Sequence, residues 1–134
     1  MKKKVELSMA NFLAALRRLE KFSSMTVTND RDRAGVIQAF EFTFEVAWKT
    51  IQKAIEDEGL RAVSPKGAFK AAFQLGWILE NEQADWIQLL EDRNLTSHTY
   101  REELANEIFQ RIQLKYVIRL RNLFDRMEKD QVAD

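Results

Sequence analysis

Apolar side chains recur along this chain at spacings of three and four residues, which is the period of an amphipathic helix. The chain contains no Asn-Gly or Asp-Gly pair that would favour a tight β-hairpin. The pattern therefore predicts an all-α protein. The longest apolar stripe consists of Ala105, Phe109, Ile112, Tyr116, Leu120, Leu123 and Met127, and we interpret it as the core face of one long helix.

Capping residues and glycines divide this pattern into five predicted helices. Ser, Thr, Asp and Asn favour a helix N-terminus, Pro is accepted at the first helical position, and Gly often follows the last turn. Three long and two short helices predict an up-and-down four-helix bundle with one broken or extra short helix, in a single domain over residues 1–134. The first predicted helix covers residues 7–23, and the second runs from the cluster at 28–30 to Gly59. The third starts at Ser64 and Pro65, the fourth covers residues 81–93, and the fifth starts at Thr99 with a capping box to Glu102.

The composition narrows the classes of function. The 134 residues carry 21 basic and 21 acidic side chains, for a formal net charge of +0, and they include no Cys and one His. A disulfide framework and a Cys- or His-based metal site are not expected, and we predict no metal and no cofactor. Glu6 follows the basic N-terminus before an apolar run develops, and no apolar stretch is long enough to span a membrane. We therefore expect a cytoplasmic protein without membrane contact.

The second predicted helix carries more apolar residues than its core face requires. At 100° per residue, Phe42 and Val46 point away from the arc that holds the other apolar positions of this helix. A monomer would place charge there. Two interpretations stay open at this point: these side chains form an interaction surface, or a neighbouring loop covers them.

Two carboxylates lie one turn apart at the edge of the same helix. Glu41 and Glu45 have the spacing of an acid/base or metal-binding pair, and Lys49 follows one turn later. Glu and Lys at this spacing are more often a solvated pair on a helix surface, and we favour that interpretation.

A basic row lies along the last predicted helix. Arg111, Lys115 and Arg119 recur every four residues. Such a row can follow the phosphates of an RNA backbone, and a solvated helix face explains it equally well.

The segment from Glu91 to Tyr100 combines residues suited to phosphate chemistry. Arg93 is an always-charged fork that matches phosphate geometry, and His98, the single histidine, has a proton that moves near neutral pH. A helix N-terminus beginning at Thr99 would add backbone donors for an anion. In a structural interpretation, Arg93 instead caps its own helix and pairs with Asp92 or Glu91.

The same segment resembles a known signature. Arg93, four residues, His98, one residue and Tyr100 are similar to the Arg-x4-His-x-Tyr motif of HEPN domains, and the polar Asn94 after the arginine also fits. More specifically, the chain resembles the nucleotidyltransferase substrate-binding protein family, a HEPN branch of helical bundles. The stretches that carry this resemblance are 35–41, Trp48 with Lys49, Ser64 with Pro65, and 92–100.

The resemblance implies roles for individual residues. It implies that Arg93 and His98 are catalytic in a metal-independent endoribonuclease. In the related toxin–antitoxin pairs called HepT and MntA, the motif tyrosine accepts AMP from the partner nucleotidyltransferase, which implies modification of Tyr100. We expect Glu41 to orient the guanidinium if the bundle places it against Arg93.

The resemblance also implies partners. We expect a cognate minimal nucleotidyltransferase subunit, with RNA or a nucleotide as the ligand. One histidine per chain is too few for a general base and a general acid, so the nuclease hypothesis requires a homodimer. The alternative is a non-catalytic subunit that presents a substrate to the nucleotidyltransferase.

Overall fold

A computed structural model describes residues 2–98 and 101–133, and these residues are almost entirely helical, without a β-strand. Glu102–Ala133 forms one continuous helix, called the C-terminal helix below, which consists of α5, a π-helical segment and α6. The elements are α1 (Lys3–Ser24), α2 (Asp30–Glu56), α3 (Pro65–Gln74), a 3₁₀ turn (Glu80–Glu82), α4 (Gln83–Leu95), a second 3₁₀ turn (Thr96–His98), α5 (Glu102–Arg111), the π segment (Ile112–Tyr116) and α6 (Val117–Ala133).

Contacts between the helices show that the bundle runs up and down. Helix α1 is antiparallel to α2, and the C-terminal helix is antiparallel to both α1 and α4. The four long elements therefore alternate in direction, with α3 as the additional short helix, and the predicted bundle is confirmed. The contacts that define these directions join Thr43 with Ala15, Thr50 with Ser8, Gln113 with Ser23, Phe12 with Phe124, Arg111 with Asp92, and Arg126 with Glu82.

The predicted caps form at two helix starts. The Asn29 side chain accepts a hydrogen bond of 2.8 Å from the Asp32 amide, and the Ser64 hydroxyl accepts one of 3.1 Å from the Gly67 amide. Pro65 occupies the first helical position of α3. Gly59 follows the end of α2 with φ 75°, a left-handed conformation that glycine adopts without steric cost.

Several predicted boundaries, and the regularity of the last predicted helix, differ from the structure. Helix α1 begins at Lys3, four residues earlier than predicted, and α5 begins at Glu102 after Arg101. Thr99, the predicted first cap, lies outside the described residues. The last helix contains the π segment, which interrupts its regular α-helical turns. The apolar spacing did not reveal it, because the residues of the apolar stripe on both sides of the segment still face the core.

The buried apolar side chains form one continuous core along the bundle. Phe12, Phe40, Ile51, Leu89 and Tyr116 are among its largest members, and all are almost fully buried. None of the helices in the described ranges combines the length and apolar character needed to cross a bilayer.

A buried carboxylate fixes the start of α4. Glu82 is 3% exposed and accepts hydrogen bonds from Arg126 (2.6 and 3.1 Å), Arg119 (3.1 Å), Asn122 (3.3 Å) and the Leu79 amide (3.0 Å). Burial raises the pKa of this carboxyl, but the hydrogen bonds from Arg126 and the backbone outweigh burial, so the pKa lies below its usual 4.5. The loop before α4 is thereby attached to the C-terminal helix.

We expect Glu82→Gln to lower the free energy of unfolding by roughly 3 kcal/mol at neutral pH, because it leaves partly buried guanidinium groups without their charged partner. Since the folded pKa is depressed, this contribution is present above pH 4.5 and disappears as the pH falls through the lower folded value. Urea denaturation at neutral and acidic pH measures both effects. The exposed neighbour Glu80→Gln is the control, and an equal loss in both variants would contradict the assignment.

Candidate functional site

Arg93 lies in the last turn of α4 and points toward α2. Its Nη1 is 2.9 Å from the Thr96 hydroxyl and 3.3 Å from Glu41 Oε2, while Nη2 is 3.7 Å from Glu45 Oε1. The guanidinium carbon lies 5.7 Å from the centre of the Phe44 ring, within cation–π range. Two carboxylates, a hydroxyl and an aromatic face therefore define the orientation of one guanidinium.

Glu41 and Glu45 both face this arginine. The favoured interpretation from sequence, a solvated pair with Lys49, is wrong, because the tertiary contact with α4 turns both carboxylates toward Arg93. Glu45 is itself held by the Trp48 indole, which donates a hydrogen bond of 3.0 Å to Oε2. The bundle does place Glu41 against Arg93, which was the condition for the expected orienting role of Glu41.

Thr96 links the two helices, and sequence reasoning did not single it out. Its hydroxyl lies 2.9 Å from Glu41 Oε2 and 2.7 Å from the Arg93 carbonyl oxygen, so its single proton serves one acceptor at a time. Its spacing from Arg93 could have identified Thr96, since residues three positions apart lie on the same face of a helix.

The Arg93 side chain is incompletely satisfied by its neighbours. It is 26% exposed, yet its Nε is buried and finds no acceptor within the described part of the chain. An unsatisfied buried donor costs about 1–3 kcal/mol. This arrangement therefore holds the guanidinium in place at some cost to stability, which is common at functional sites.

Two of the other motif residues lie within the described part of the chain. Asn94 is exposed on α4, and His98 is exposed at the end of the 3₁₀ turn that follows. Tyr100, the predicted modification site, lies outside the described residues. No cluster of three or more acidic or histidine side chains within residues 2–98 and 101–133 is arranged to hold a metal ion.

Asp92, unlike Arg93, pairs with the C-terminal helix. Its carboxylate, 3% exposed, receives two hydrogen bonds from Arg111, of 2.6 Å from Nε and 2.9 Å from Nη2. The Tyr116 hydroxyl donates a further hydrogen bond to it. The structural interpretation in which Arg93 pairs with Asp92 is therefore wrong, because Asp92 is already committed to these two partners.

The π segment brings both partners to Asp92. Residues five apart lie about 140° apart around an α-helix of 3.6 residues per turn, so Arg111 and Tyr116 would diverge in a regular helix. The Val117 amide instead bonds to the Ile112 carbonyl, five residues back. This wider turn places Arg111 and Tyr116 on the same side, facing one carboxylate.

The basic row of the C-terminal helix is ion-paired with α4. Arg111 binds Asp92, Lys115 Nζ lies 3.9 Å from Asp85 Oδ1, and Arg119 Nε lies 2.9 Å from Asp85 Oδ2. Their charges are therefore largely compensated by helix packing. The row therefore lies paired at an interface between two helices, which differs from the solvated face considered from sequence, and it leaves little charge for a phosphate track.

Phe42 and Val46 line a groove between α1 and α2. Phe42 is 61% exposed and Val46 is half-buried, so no loop of the described chain covers the phenyl ring. This α1–α2 groove is lined by Asn11, Arg18, Phe42, Val46, Lys49 and Lys53, with small residues at its base.

Comparison with known proteins places this fold and motif in a family. The family model described as nucleotidyltransferase substrate binding protein like matches residues 7–129, and the chain belongs to that family. A protein of Haemophilus influenzae Rd named probable ribonuclease HepT is 32% identical over 92 residues, which are 65% of this chain and 62% of that protein. The alignment thus spans less than two thirds of the relative's length.

A solved structure supports the same architecture. A crystal structure of a protein from Thermus thermophilus superposes with a TM-score of 0.80 at 34% identity, and the match covers 87% of this chain and 98% of that one. The bundle is therefore shared with an experimentally solved protein over almost its whole length.

We expect Tyr116 to stay protonated throughout an alkaline titration of the folded protein. Burial, followed by the hydrogen bond to Asp92, raises the pKa of this phenol far above its usual 10. The chain has two tyrosines, so the variant Tyr100→Phe leaves Tyr116 as the single reporter in ultraviolet absorbance. A tyrosinate signal should appear together with unfolding, and because the folded pKa is raised, stability should fall as the pH rises above about 10. Titration near the usual value without loss of helicity would contradict the buried network.

Proposed function

We propose that this protein is a HEPN-type, metal-independent endoribonuclease of the HepT kind, restrained by a cognate nucleotidyltransferase. The observation that carries the proposal is the fixed orientation of Arg93 by Glu41, Glu45 and Thr96, in the segment that also holds the single histidine. The name of the Haemophilus relative supports the same function.

The proposed RNA cleavage needs a positively charged group that contacts the phosphate and a second group that transfers a proton. In the proposed reaction, an RNA 2′-hydroxyl loses its proton and its oxygen attacks the adjacent phosphorus. The bond to the 5′-oxygen breaks, and that oxygen takes up a proton. Arg93 stabilises the charge that develops on the phosphoryl oxygens, His98 transfers protons, and Glu41 orients Arg93. A homodimer that joins two motifs supplies the second histidine.

The partner controls this activity through Tyr100. In the proposed modification, the Tyr100 hydroxyl oxygen attacks the α-phosphorus of ATP on the nucleotidyltransferase, pyrophosphate leaves, and the phenolic proton passes to solvent. The added AMP brings negative charge next to His98 in sequence, where it repels an RNA phosphate. The proposed partner thereby silences the nuclease.

The family description favours a second candidate function. In this candidate function, the protein presents a nucleotide or another substrate to a nucleotidyltransferase partner and does not cleave RNA. In that case Arg93 serves as an anchor for phosphate or for the partner. The two candidates differ in one respect that can be measured: only the first consumes RNA.

We expect the purified protein to cleave RNA in the presence of EDTA, and His98→Ala and Arg93→Ala to lower that activity by at least about 100-fold, within the range attributed to general acid–base groups. Glu41→Gln should lower it less, by roughly tenfold, because Arg93 keeps Glu45 and Thr96. Cleavage of total RNA followed on gels is the measurement, and light scattering gives the mass of each sample.

Glu128→Gln is the matched control for these substitutions, because this exposed carboxylate lies on α6, next to the turn whose Arg126 contacts Glu82, at the opposite end of α4 from Arg93. Its activity should equal that of the unmodified protein. Absence of cleavage by every sample, together with a stable complex with the nucleotidyltransferase, would favour the substrate-binding function.

We expect incubation with the cognate nucleotidyltransferase, ATP and Mg²⁺ to add AMP to Tyr100 and to abolish cleavage. Mass spectrometry of the intact chain and its peptides measures the addition. Tyr100→Phe should gain no mass and should keep its activity under the same treatment, whereas Tyr116→Phe should be modified like the unmodified chain. Modification of Tyr100→Phe would place the acceptor elsewhere.

A further inference from the structure

The α1–α2 groove carries three cations and no acidic side chain among its described lining residues. Arg18 lies on its α1 wall, and Lys49 and Lys53 lie one turn apart on its α2 wall. All three are exposed, and none forms an ion pair within the parts of the chain that the structure describes. On a chain with a net charge of +0, this groove is a local concentration of positive charge.

The arginines of the C-terminal helix do not offer the same charge. Arg111, Arg119, Arg121 and Arg126 each contact a carboxylate of another element within 3.1 Å. Releasing one of them for a phosphate would break a partly buried ion pair, which is costly. In the groove, by contrast, the cations contact neutral groups: Lys53 donates to the Ser8 hydroxyl at 3.0 Å, and Arg18 lies over the Phe22 ring at 5.1 Å.

An aromatic ring stands in the same groove. Phe42 is 61% exposed, with Val46 beside it one turn later. An exposed phenyl ring next to available cations is the combination with which proteins bind single-stranded nucleic acid, because bases stack on the ring and phosphates contact the cations.

The groove leads to the Arg93 cluster. Arg18 and Phe42 also line the adjoining depression, whose opposite wall contains Glu41, Glu45 and Arg93. In that depression two carboxylates face one guanidinium, so the cluster by itself repels a polyanion. A bound RNA strand therefore needs positive charge from elsewhere, and the α1–α2 groove supplies it next to the proposed reaction centre.

We propose that the α1–α2 groove binds single-stranded RNA, with Arg18, Lys49 and Lys53 on phosphates and Phe42 stacked on a base. The groove then holds the strand and directs it to Arg93. This inference rests on the proposed ribonuclease function for its role, but the binding itself is measurable without cleavage. A second copy of the chain seated on Phe42 and Val46 is the competing occupant.

The test measures binding of a fluorescein-labelled RNA of about 12 nucleotides, matched to the usual size of single-strand sites. Its 2′-hydroxyls are methylated, so that it cannot be cleaved. The groove variant Arg18→Gln/Lys49→Gln/Lys53→Gln should bind about tenfold or more weakly. Its slope of log affinity against log salt should be shallower by about 2, as expected for three lost contacts to a single strand. Fluorescence anisotropy over a salt series measures both quantities.

A matched control removes the same charges elsewhere. Arg61→Gln/Lys70→Gln/Lys129→Gln also takes away one arginine and two lysines, all exposed and outside the groove. It should weaken binding by less than about threefold, because it changes the net charge equally but removes no contact. Equal weakening in both triple variants would overturn the proposal, since the effect would then come from net charge alone.

Two substitutions of Phe42 separate RNA from a second copy. If a base stacks on the ring, Phe42→Leu should weaken RNA binding by about tenfold, nearly as much as Phe42→Ala, and the mass in solution should not change. If Phe42 is buried between two copies, Leu should preserve the assembly and Ala should dissociate it. Light scattering that shows dissociation, with RNA binding unchanged in both variants, would overturn the proposal.

The outcomes also separate this inference from the nuclease hypothesis. Groove-dependent binding by a protein that cleaves no RNA would overturn the proposed nuclease and leave the binding site intact. Cleavage that needs His98 but is equal in the groove variant, with equal binding, would overturn the binding site and leave the nuclease intact. Absence of RNA binding by the unmodified chain would overturn the groove proposal directly.

Discussion

The buried carboxylate of Asp92 is the constraint on which the site depends. A carboxylate that is 3% exposed is stable only with several strong hydrogen bonds, and Arg111 and Tyr116 provide them from the C-terminal helix. Meeting both partners requires the π segment, because a regular α-helix would turn them apart. The interaction therefore determines the local shape of the longest helix, the position of α4 against it and, one residue later, the direction in which Arg93 leaves α4.

This arrangement divides the charges of a neutral chain into two groups. Between α4 and the C-terminal helix, acidic and basic side chains pair along the whole interface, from Glu82 with Arg126 to Asp92 with Arg111. These pairs hold the helices in register and leave little charge for a ligand. Between α1 and α2 the ion pair of Lys4 with Glu56 lies at one end of the contact. Further along, the Thr43 and Thr50 hydroxyls donate to carbonyls of α1, and the cations of the groove remain available. We therefore expect the ligand-binding surface at the α1–α2 groove, where, within the described chain, the cations are not paired with carboxylates by helix packing.

The Arg93 cluster shows how a motif acquires a defined geometry. The arginine comes from α4, whereas Glu41 and Glu45 come from α2, more than forty residues earlier in the chain. Thr96 bridges the two helices through Arg93 and Glu41. Membership of the nucleotidyltransferase substrate binding protein like family is consistent with a shared scaffold for this motif. The cost of a buried, unsatisfied Nε on Arg93 is offset by the surrounding core.

Information from residues near one another in the sequence was sufficient to predict the helices and to find the residues of the motif. The apolar period predicted helices, Asn29 and Ser64 marked two starts, and Arg93, His98 and Tyr100 stand together in the sequence, because propensity, capping and motif spacing depend on near neighbours. Pairing between distant helices was not predictable in this way. Glu45 turned out to face Arg93 rather than Lys49, and the cations at 111, 115 and 119 turned out to be paired, because ionic partners are chosen by how helices pack. The π segment likewise follows from a contact with Asp92 across the bundle, and only the folded chain places that carboxylate within reach.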